Sequence, residues 1–237
     1  MQWTDDAILL SLRRHGETSA VASLLTAAHG RHAGLARGGL AKTARGALQP
    51  GNRLLVRWQA RLAENLGALS WELEEATGTR WLDDPLRLAG LAAACAMADA
   101  VLPEREPHPG AFARLAALLQ ALAGGSWPGY FVQWELGLLA ELGYGLDLSA
   151  CAVTGGVDDL AFVSPKSGRA VSAAAAEPYR ARLLPLPAFL LAGTAATPAE
   201  VMEGLALTGY FLERHVLGPQ SRRLPAARSR LVDRLRP

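Results

Sequence analysis

Cys151 is the one thiol between Trp134 and Ser172, and its surroundings have the frame of a zinc knuckle. Gly155 follows it, and a Ser164-Pro165-x-x-Gly168 turn comes next. In a C-x-x-C pair the second ligand would stand at Thr154. Zinc takes about four nitrogen or sulfur ligands in a closed tetrahedral site. This segment has a single thiol and no histidine, so it reads as a knuckle held by packing, with no metal. His29 and His32 have a spacing that suits a metal, but no carboxylate or thiol accompanies them locally, and they read as surface or phosphate-adjacent side chains.

Covalent chemistry finds little else to work with. Gly34-Leu-Ala-Arg-Gly38-Gly39 loosely resembles a phosphate loop, but Leu40 stands where the lysine belongs and Ala41 where the hydroxyl belongs. The glycines read better as a strand bend. There is no G-x-S-x-G elbow. The pairs Asp5-Asp6, Asp83-Asp84 and Asp158-Asp159 fall at starts and turns, where capping explains them. Cys95 sits in an apolar helical run and reads as a buried structural thiol. No catalytic residue, metal or cofactor is expected, and the chain reads as a non-enzyme.

The stronger pattern is charge. The formal net charge is only +2. Yet residues 9–61 hold nine basic side chains, Arg13, Arg14, Arg31, Arg37, Lys42, Arg45, Arg53, Arg57 and Arg61, against Glu17 alone. Residues 81–150 carry eight acidic and three basic side chains, and residues 212–237 carry seven arginines against Glu213 and Asp233. A basic amino-terminal unit, an acidic middle and a basic tail point to a polyanion partner. A GC-rich genome would explain arginine over lysine, but not the lack of carboxylates from residue 18 to 63. Arg53, Arg57 and Arg61 recur every fourth residue, which on a strand places them on one face. Arg37, Lys42 and Arg45 flank Gly38-Gly39, where backbone can approach a phosphate closely. The aromatics in this region are Trp3, Trp58 and Trp71, the last two equally at home in a core. With so few stacking platforms, binding through the phosphate backbone is expected.

The elements that must carry these residues change character near residue 80. Before it come five apolar or alternating runs, Ala7–Arg13, Ala20–Ala28, Ala33–Leu40, Leu54–Leu62 and Gly67–Leu73, with a strong turn at Pro50-Gly51-Asn52. Five short strands with a basic face fit an OB-fold β-barrel, and the pattern by itself equally allows an SH3-like barrel. After it the pattern is helical. Asp84-Pro85 opens a helix to about Leu102, Pro109-Gly110 a second to Ala123, and Pro128 a third to Leu142, with Gly143 as its cap. Thr197-Pro198 opens a helix running to about Val216, with Val201, Leu205, Thr208 and Leu212 on one face. The expected fold is α+β in two domains: residues 1–80 an OB-fold nucleic-acid-binding domain, and residues 81–237 an α-helical domain with the metal-free knuckle inserted at about 145–175. The tail around Arg222-Arg223 and Arg228-x-Arg230 reads either as a solvated end or as a contact for DNA or a partner.

Half the residues are hydrophobic, enough for a sizeable core. Cys95 and Cys151 do not make a disulfide framework, which fits a reducing cytoplasm. The amino end has acidic residues where a signal peptide would be basic, and the apolar run Leu88–Val101 is too short to span a bilayer. No membrane association is expected.

The block Glu135-Leu136-x-Leu138-Leu139-x-x-Leu142-Gly143-Tyr144-x-Leu146-Asp147-Leu148-x-x-Cys151 resembles the bacterial recombination mediator family RecO. So do Phe162-Val163-Ser164-Pro165-Lys166-x-Gly168, Leu184-Pro185-Leu186-Pro187-x-Phe189-Leu190, and the opening Ala7-Ile8-Leu9-Leu10 with Gly16-Glu17 and Leu25-Thr26-x-x-x-Gly30. The resemblance covers nearly the whole chain. Many members of that family carry a four-cysteine zinc site in the knuckle, and this chain departs from that pattern. The resemblance implies a DNA repair and recombination mediator in the bacterial cytoplasm, associated with the nucleoid. It would bind single- and double-stranded DNA, anneal complementary strands and, with RecR, help RecA load onto strands coated by single-strand-binding protein. The acidic, apolar-ended C-terminal tail of the single-strand-binding protein would need a groove rimmed by arginine, for which Arg214, Arg222 and Arg223 beside the helix Ala199–Val216 are candidates. The alternative is a non-enzymatic interaction module whose basic barrel docks an acidic protein, and an RNA-binding barrel differs only in the polymer.

Overall fold

The computed structural model describes residues 1–62 and 64–236. Two compact units emerge, Met1–Leu122 with Pro225–Leu231, and Ala123–Leu224 with Val232–Pro237.

The first unit is built on five strands: β1 (Gln2–His15), β2 (Ser19–Thr26), β3 (Gly30–Ala36), β4 (Arg53–Gln59) and β5 (Gly67–Glu75). They close into a barrel in the order β1-β2-β3-β5-β4, with β4 returning to β1. All pairings are antiparallel except β3 with β5, which is parallel from Gly34 to Ala36. This order is that of the OB-fold. The third strand starts and stops earlier than its apolar run suggests, because Gly38 takes φ +70° and turns the chain out of the sheet. The interior comes from alternate residues, among them Ala7, Leu9, Ala22, Leu24, Leu54, Val56, Trp58 and Leu69. Ala44 and Leu48 from the β3–β4 connection complete that core. Asn52, fully buried, locks this connection: its Nδ2 donates to Gly46 O and Ala47 O, and its Oδ1 accepts from Gly78 N.

Ile8, Leu10 and Leu25 lie off the interior face, yet they are buried too. The helix α1 (Pro85–Val101) packs against β1 and β2. Asp99 on α1 accepts hydrogen bonds from Ser11 Oγ at 2.9 Å, Ser23 Oγ at 2.6 Å and Arg31 Nη1 at 3.3 Å. Asp84 caps α1 as its position before proline predicts, accepting from the backbone N–H groups of Leu86 and Arg87. Arg87 Nε donates to Leu122 O, joining the start of α1 to the end of α2 (Pro109–Ala121). The barrel's unit therefore runs through both helices to Leu122.

The second unit begins with α3 (Trp127–Glu141). A three-stranded sheet follows, β6 (Leu160–Val163), β7 (Ala170–Ser172) and β8 (Leu184–Pro185), in the order β7-β6-β8. Two single-turn helices, α4 (Ala173–Ala176) and α5 (Phe189–Ala192), precede α6 (Pro198–Phe211), which continues through a wider π turn at Leu212–Leu217. Thr197 and Glu200 form a capping box at the start of α6. Val201, Leu205, Thr208 and Leu212 are all buried, as their spacing predicts. Thr208 Oγ1 donates to Glu135 Oε2 at 2.5 Å between α6 and α3, with both side chains fully buried. The final helix is α7 (Ala226–Leu235), so the arginine-rich tail is helical there and buries Arg228 and Leu231. No helix among the described residues is long and apolar enough to cross a membrane.

Candidate nucleic-acid interface

The basic residues of the barrel fall into two groups. Arg31 and Arg53 are held by carboxylates of the chain itself. Arg31 lies 3.3 Å from Asp99 and 3.2 Å from Glu104, and its Nε donates to Leu102 O. Arg53 lies 2.6 Å from Asp6 and 3.4 Å from Glu74. The Asp6 carboxylate raises the Arg53 pKa still further. Two of the nine candidate DNA-binding cations thus also fasten the fold, because residues distant in sequence bring acidic partners to them.

The other seven, Arg13, Arg14, Arg37, Lys42, Arg45, Arg57 and Arg61, are exposed, and no carboxylate of the described residues pairs with them. Five of these gather at one end of the barrel. Arg13 and Arg14 stand on β1 just before its turn into β2. Their partners across β2 are Val21 and Ala20, and Ala20 pairs in turn with Ala36, the residue before Arg37. Leu40 N donates to Thr18 O, which ties the turn carrying Arg37, Lys42 and Arg45 to the β1–β2 hairpin. Between them is a cleft of about 330 Å³ lined by Arg14, Arg45, Leu12, Leu48, Gln49 and Glu17. Glu17 is the one acidic group lining it.

Arg57 is placed by register. On β4 the outward residues alternate with buried Leu54, Val56 and Trp58. Arg57 pairs with Thr4 on β1 and Ser70 on β5, both exposed and uncharged. Ala36 pairs with Leu69, so Arg37 leaves β3 beside the Ser70 position. A second cleft of about 310 Å³ runs past Thr4, Arg57, Ser70 and Glu72. Arg53 and Arg57 do share a face, but Arg61 lies beyond the end of β4 and leaves that row.

The glycine-rich turn spends three of its N–H groups within the chain. The N–H groups of Gly39, Leu40 and Ala41 donate to Ala36 O, Thr18 O and Gly38 O. Gly38, at φ +70°, makes the bend. His29 and His32 are not neighbours in open solvent. Burial lowers the pKa of His32, whose ring lies edge-on to Trp3 and Trp58. Sequence spacing had no signal for this aromatic grouping.

In the knuckle, Cys151 is buried, and its sulfur accepts from Ser172 N at 3.3 Å and Ser172 Oγ at 3.4 Å. Hydrogen bonds from Ser172 and Thr154 pull its pKa down to about 6. The donors around the sulfur are thus two hydroxyls and backbone amides. Val171 and Ala176 pack beside it, with Leu160, Phe162, Ala175 and Leu183 around them. Among the described residues no three His, Cys, Asp or Glu side chains converge as a metal would need. A zinc ion does not fit this donor set.

Of the residues considered for partner docking, Arg214 stands on the π turn. Its Nη1 donates to the Tyr210 hydroxyl at 2.9 Å, and its guanidinium lies 5.8 Å from that ring's centre. On the neighbouring positions Phe211, His215 and Tyr144 form a stacked series, with ring centres 5.7 and 5.6 Å apart. Arg222 and Arg223 are exposed beyond the turn, and Arg222 Nη1 donates to Gln220 Oε1 at 3.4 Å.

Comparison with known proteins covers both units. Residues 1–75 match the family model for Recombination protein O N terminal, and residues 82–224 match that for Recombination protein O C terminal. The DNA repair protein RecO of Rhodospirillum centenum is 57% identical over 238 residues, covering 100% of this chain and 95% of that protein. That of Rhodospirillum rubrum is 54% identical, covering 100% and 97%. That of Phenylobacterium zucineum is 52% identical, covering 99% and 98%.

Proposed function

Because the chain belongs to the Recombination protein O family, we propose that it is a bacterial DNA repair and recombination mediator. It binds single- and double-stranded DNA and anneals complementary strands. With RecR it assists RecA onto strands coated by single-strand-binding protein, in the cytoplasm. Residues 1–80 supply the DNA-binding barrel, and residues 81–237 the helical part of the chain, of which α1 and α2 pack into the barrel's compact unit. The observation that carries this reading is the set of carboxylate-free cations on the barrel, Arg13, Arg14, Arg37, Lys42, Arg45, Arg57 and Arg61.

Annealing brings two phosphate backbones together, so the barrier is largely electrostatic. Each cation that meets a phosphate releases condensed counterions. Arginines on exposed turns can screen both backbones and leave the base edges available for pairing. Nothing in this scheme breaks a covalent bond, and it works without nucleotide hydrolysis. In the helical domain, Arg214, with Arg222 and Arg223, is the candidate rim for the acidic tail of single-strand-binding protein.

The test is annealing of two complementary oligonucleotides without ATP, bare and coated with single-strand-binding protein. The full chain accelerates both, and the effect fades with salt. Arg14→Glu with Arg45→Glu removes most of the acceleration. Unchanged annealing by that variant would overturn the assignment of the basic end. Affinity for the tail peptide that survives Arg222→Glu with Arg223→Glu would remove those two residues from the docking rim.

A further inference from the structure

The end of the barrel that carries the β2–β3 turn holds a row of rings. Trp58 anchors it inside the core, where Nε1 donates to Ala33 O at 3.0 Å. Trp3 lies on Trp58 with ring centres 5.5 Å apart and planes 11° from parallel. His29, in the turn between β2 and β3, lies on the other side of Trp3 at 4.3 Å and 9°. His32 closes the edge of the row, T-shaped to both Trp3 and Trp58.

His29 is held in this orientation. Its Nδ1 is 2.8 Å from Asp5 Oδ2, and the same oxygen accepts from Ala28 N at 2.8 Å. His32 Nδ1 is 2.8 Å from the His29 carbonyl. Trp3 already stacks with two rings, Trp58 and His29, so a further ring would join the row at the partly exposed His29. The His29 side chain is 35% exposed, and its ring contacts among the described residues are those with Trp3 and His32 alone. It is a preordered ring at the end of a stack, so stacking a further ring costs it little side-chain entropy.

The surroundings favour a ring that carries phosphate. Ala60 N donates to Met1 O, so Arg61 follows directly where the chain passes the start of β1. Arg105 Nη2 donates to Glu64 O and Asn65 O of the β4–β5 loop, and its charge acts on His32. Of the nearby carboxylates, Asp5 is engaged by His29 and Glu104 by Arg31, and Glu106, whose backbone packs on Gly30, lies 3.7 Å from His108 Nε2. A flat aromatic face with flanking guanidinium groups suits a nucleobase with its backbone, since every base has a π-face and stacking tolerates any sequence.

We propose that His29 is a stacking platform for a nucleobase of single-stranded DNA, which continues the Trp58–Trp3–His29 row. This deepens the DNA-binding reading above and rests on it. The site is separate from the basic end at Arg14 and Arg45, so a strand held by that end would meet base recognition at the other.

The test measures binding of the full chain to labelled oligothymidylate and to an abasic oligonucleotide of equal length. His29→Ala weakens oligothymidylate binding about tenfold and leaves abasic binding unchanged. His29→Phe restores the wild-type preference for bases, whereas His29→Leu, which keeps bulk without a π-face, does not. Near-ultraviolet circular dichroism checks the tryptophan stack, and the Phe-to-Leu comparison carries the test should the alanine variant unfold. Equal losses on both oligonucleotides, or none on either, would overturn the stacking proposal while DNA binding stands. Failure of the wild-type chain to bind either oligonucleotide would overturn the DNA-binding reading itself.

Discussion

Cys95 and Cys151 differ in what surrounds their sulfur atoms. Burial, with Asp99 nearby, pushes Cys95 up to about 12. Hydroxyl and amide donors from Ser172 and Thr154 pull Cys151 down to about 6. Titration of thiolate absorbance should therefore show one cysteine ionising near pH 6 and the other only in strong alkali. Ser172→Ala or Thr154→Ala should move the first step upward. The sign for stability follows from linkage. A folded pKa below the ordinary 9.0 means that folding favours the thiolate. That stabilisation is full above pH 9.0 and is lost as pH falls through about 6. Urea denaturation across this window should show a pH dependence that Cys151→Ala removes. The same donor set leads to a second expectation: metal analysis of the purified chain finds no stoichiometric zinc. One zinc per chain would require ligands that the knuckle does not bring to Cys151.

At the scale of elements, two close approaches set the tolerances. A Cβ on Gly67 would collide with Cε2 of Trp58, inside the barrel core. Gly67→Ala should cost about 1–3 kcal/mol, since the indole is pinned by its bond to Ala33 and cannot retreat. Chemical denaturation reads this directly, and a loss of tryptophan near-ultraviolet signal should accompany it. Between α3 and α6, Gly204 faces Val132 and Thr208 donates to buried Glu135. Thr208→Val keeps the shape but removes a donor from a buried carboxylate. The expected loss is about 1–3 kcal/mol, and a variant as stable as wild type would show that this bond is dispensable. Much of this was legible in the chain. The period of two in Leu54, Val56 and Trp58, the Asp84-Pro85 cap and the Thr197-Pro198 helix start are local signals, and local geometry satisfies them. Element ends shifted by a few residues, as at Gly38, where one positive φ decides.

For the whole molecule, the distribution of charge governs behaviour. The formal charge is only +2, yet seven barrel cations have no carboxylate partner among the described residues. DNA affinity should fall steeply with salt. Arg14→Glu with Arg45→Glu should lower the slope of log affinity against log salt by roughly 0.7 for each lost phosphate contact on a single strand. A slope unchanged by both substitutions would place the phosphates elsewhere. Charge reversal at Arg31 should instead unfold or loosen the barrel's unit, because its guanidinium joins β3 to Asp99 and Glu104.

The classes of element, the change from strands to helices near residue 80, the excess of basic residues and the shortage of thiols at the knuckle are all legible in the order of residues. These depend on residue type and short spacing, which act within a turn or a strand. The tertiary structure alone decided which cations remain available. Arg31 meets a carboxylate 68 residues away and Arg53 one 47 residues away, pairings that no local pattern records. It also decided that α1 and α2 belong with the barrel, through Asp99 reaching Ser11 and Ser23, and that His29 ends a row of rings begun by Trp58. Closing a barrel brings distant strands within hydrogen-bonding and stacking distance, and only that closure selects which side chains face each other and which face solvent.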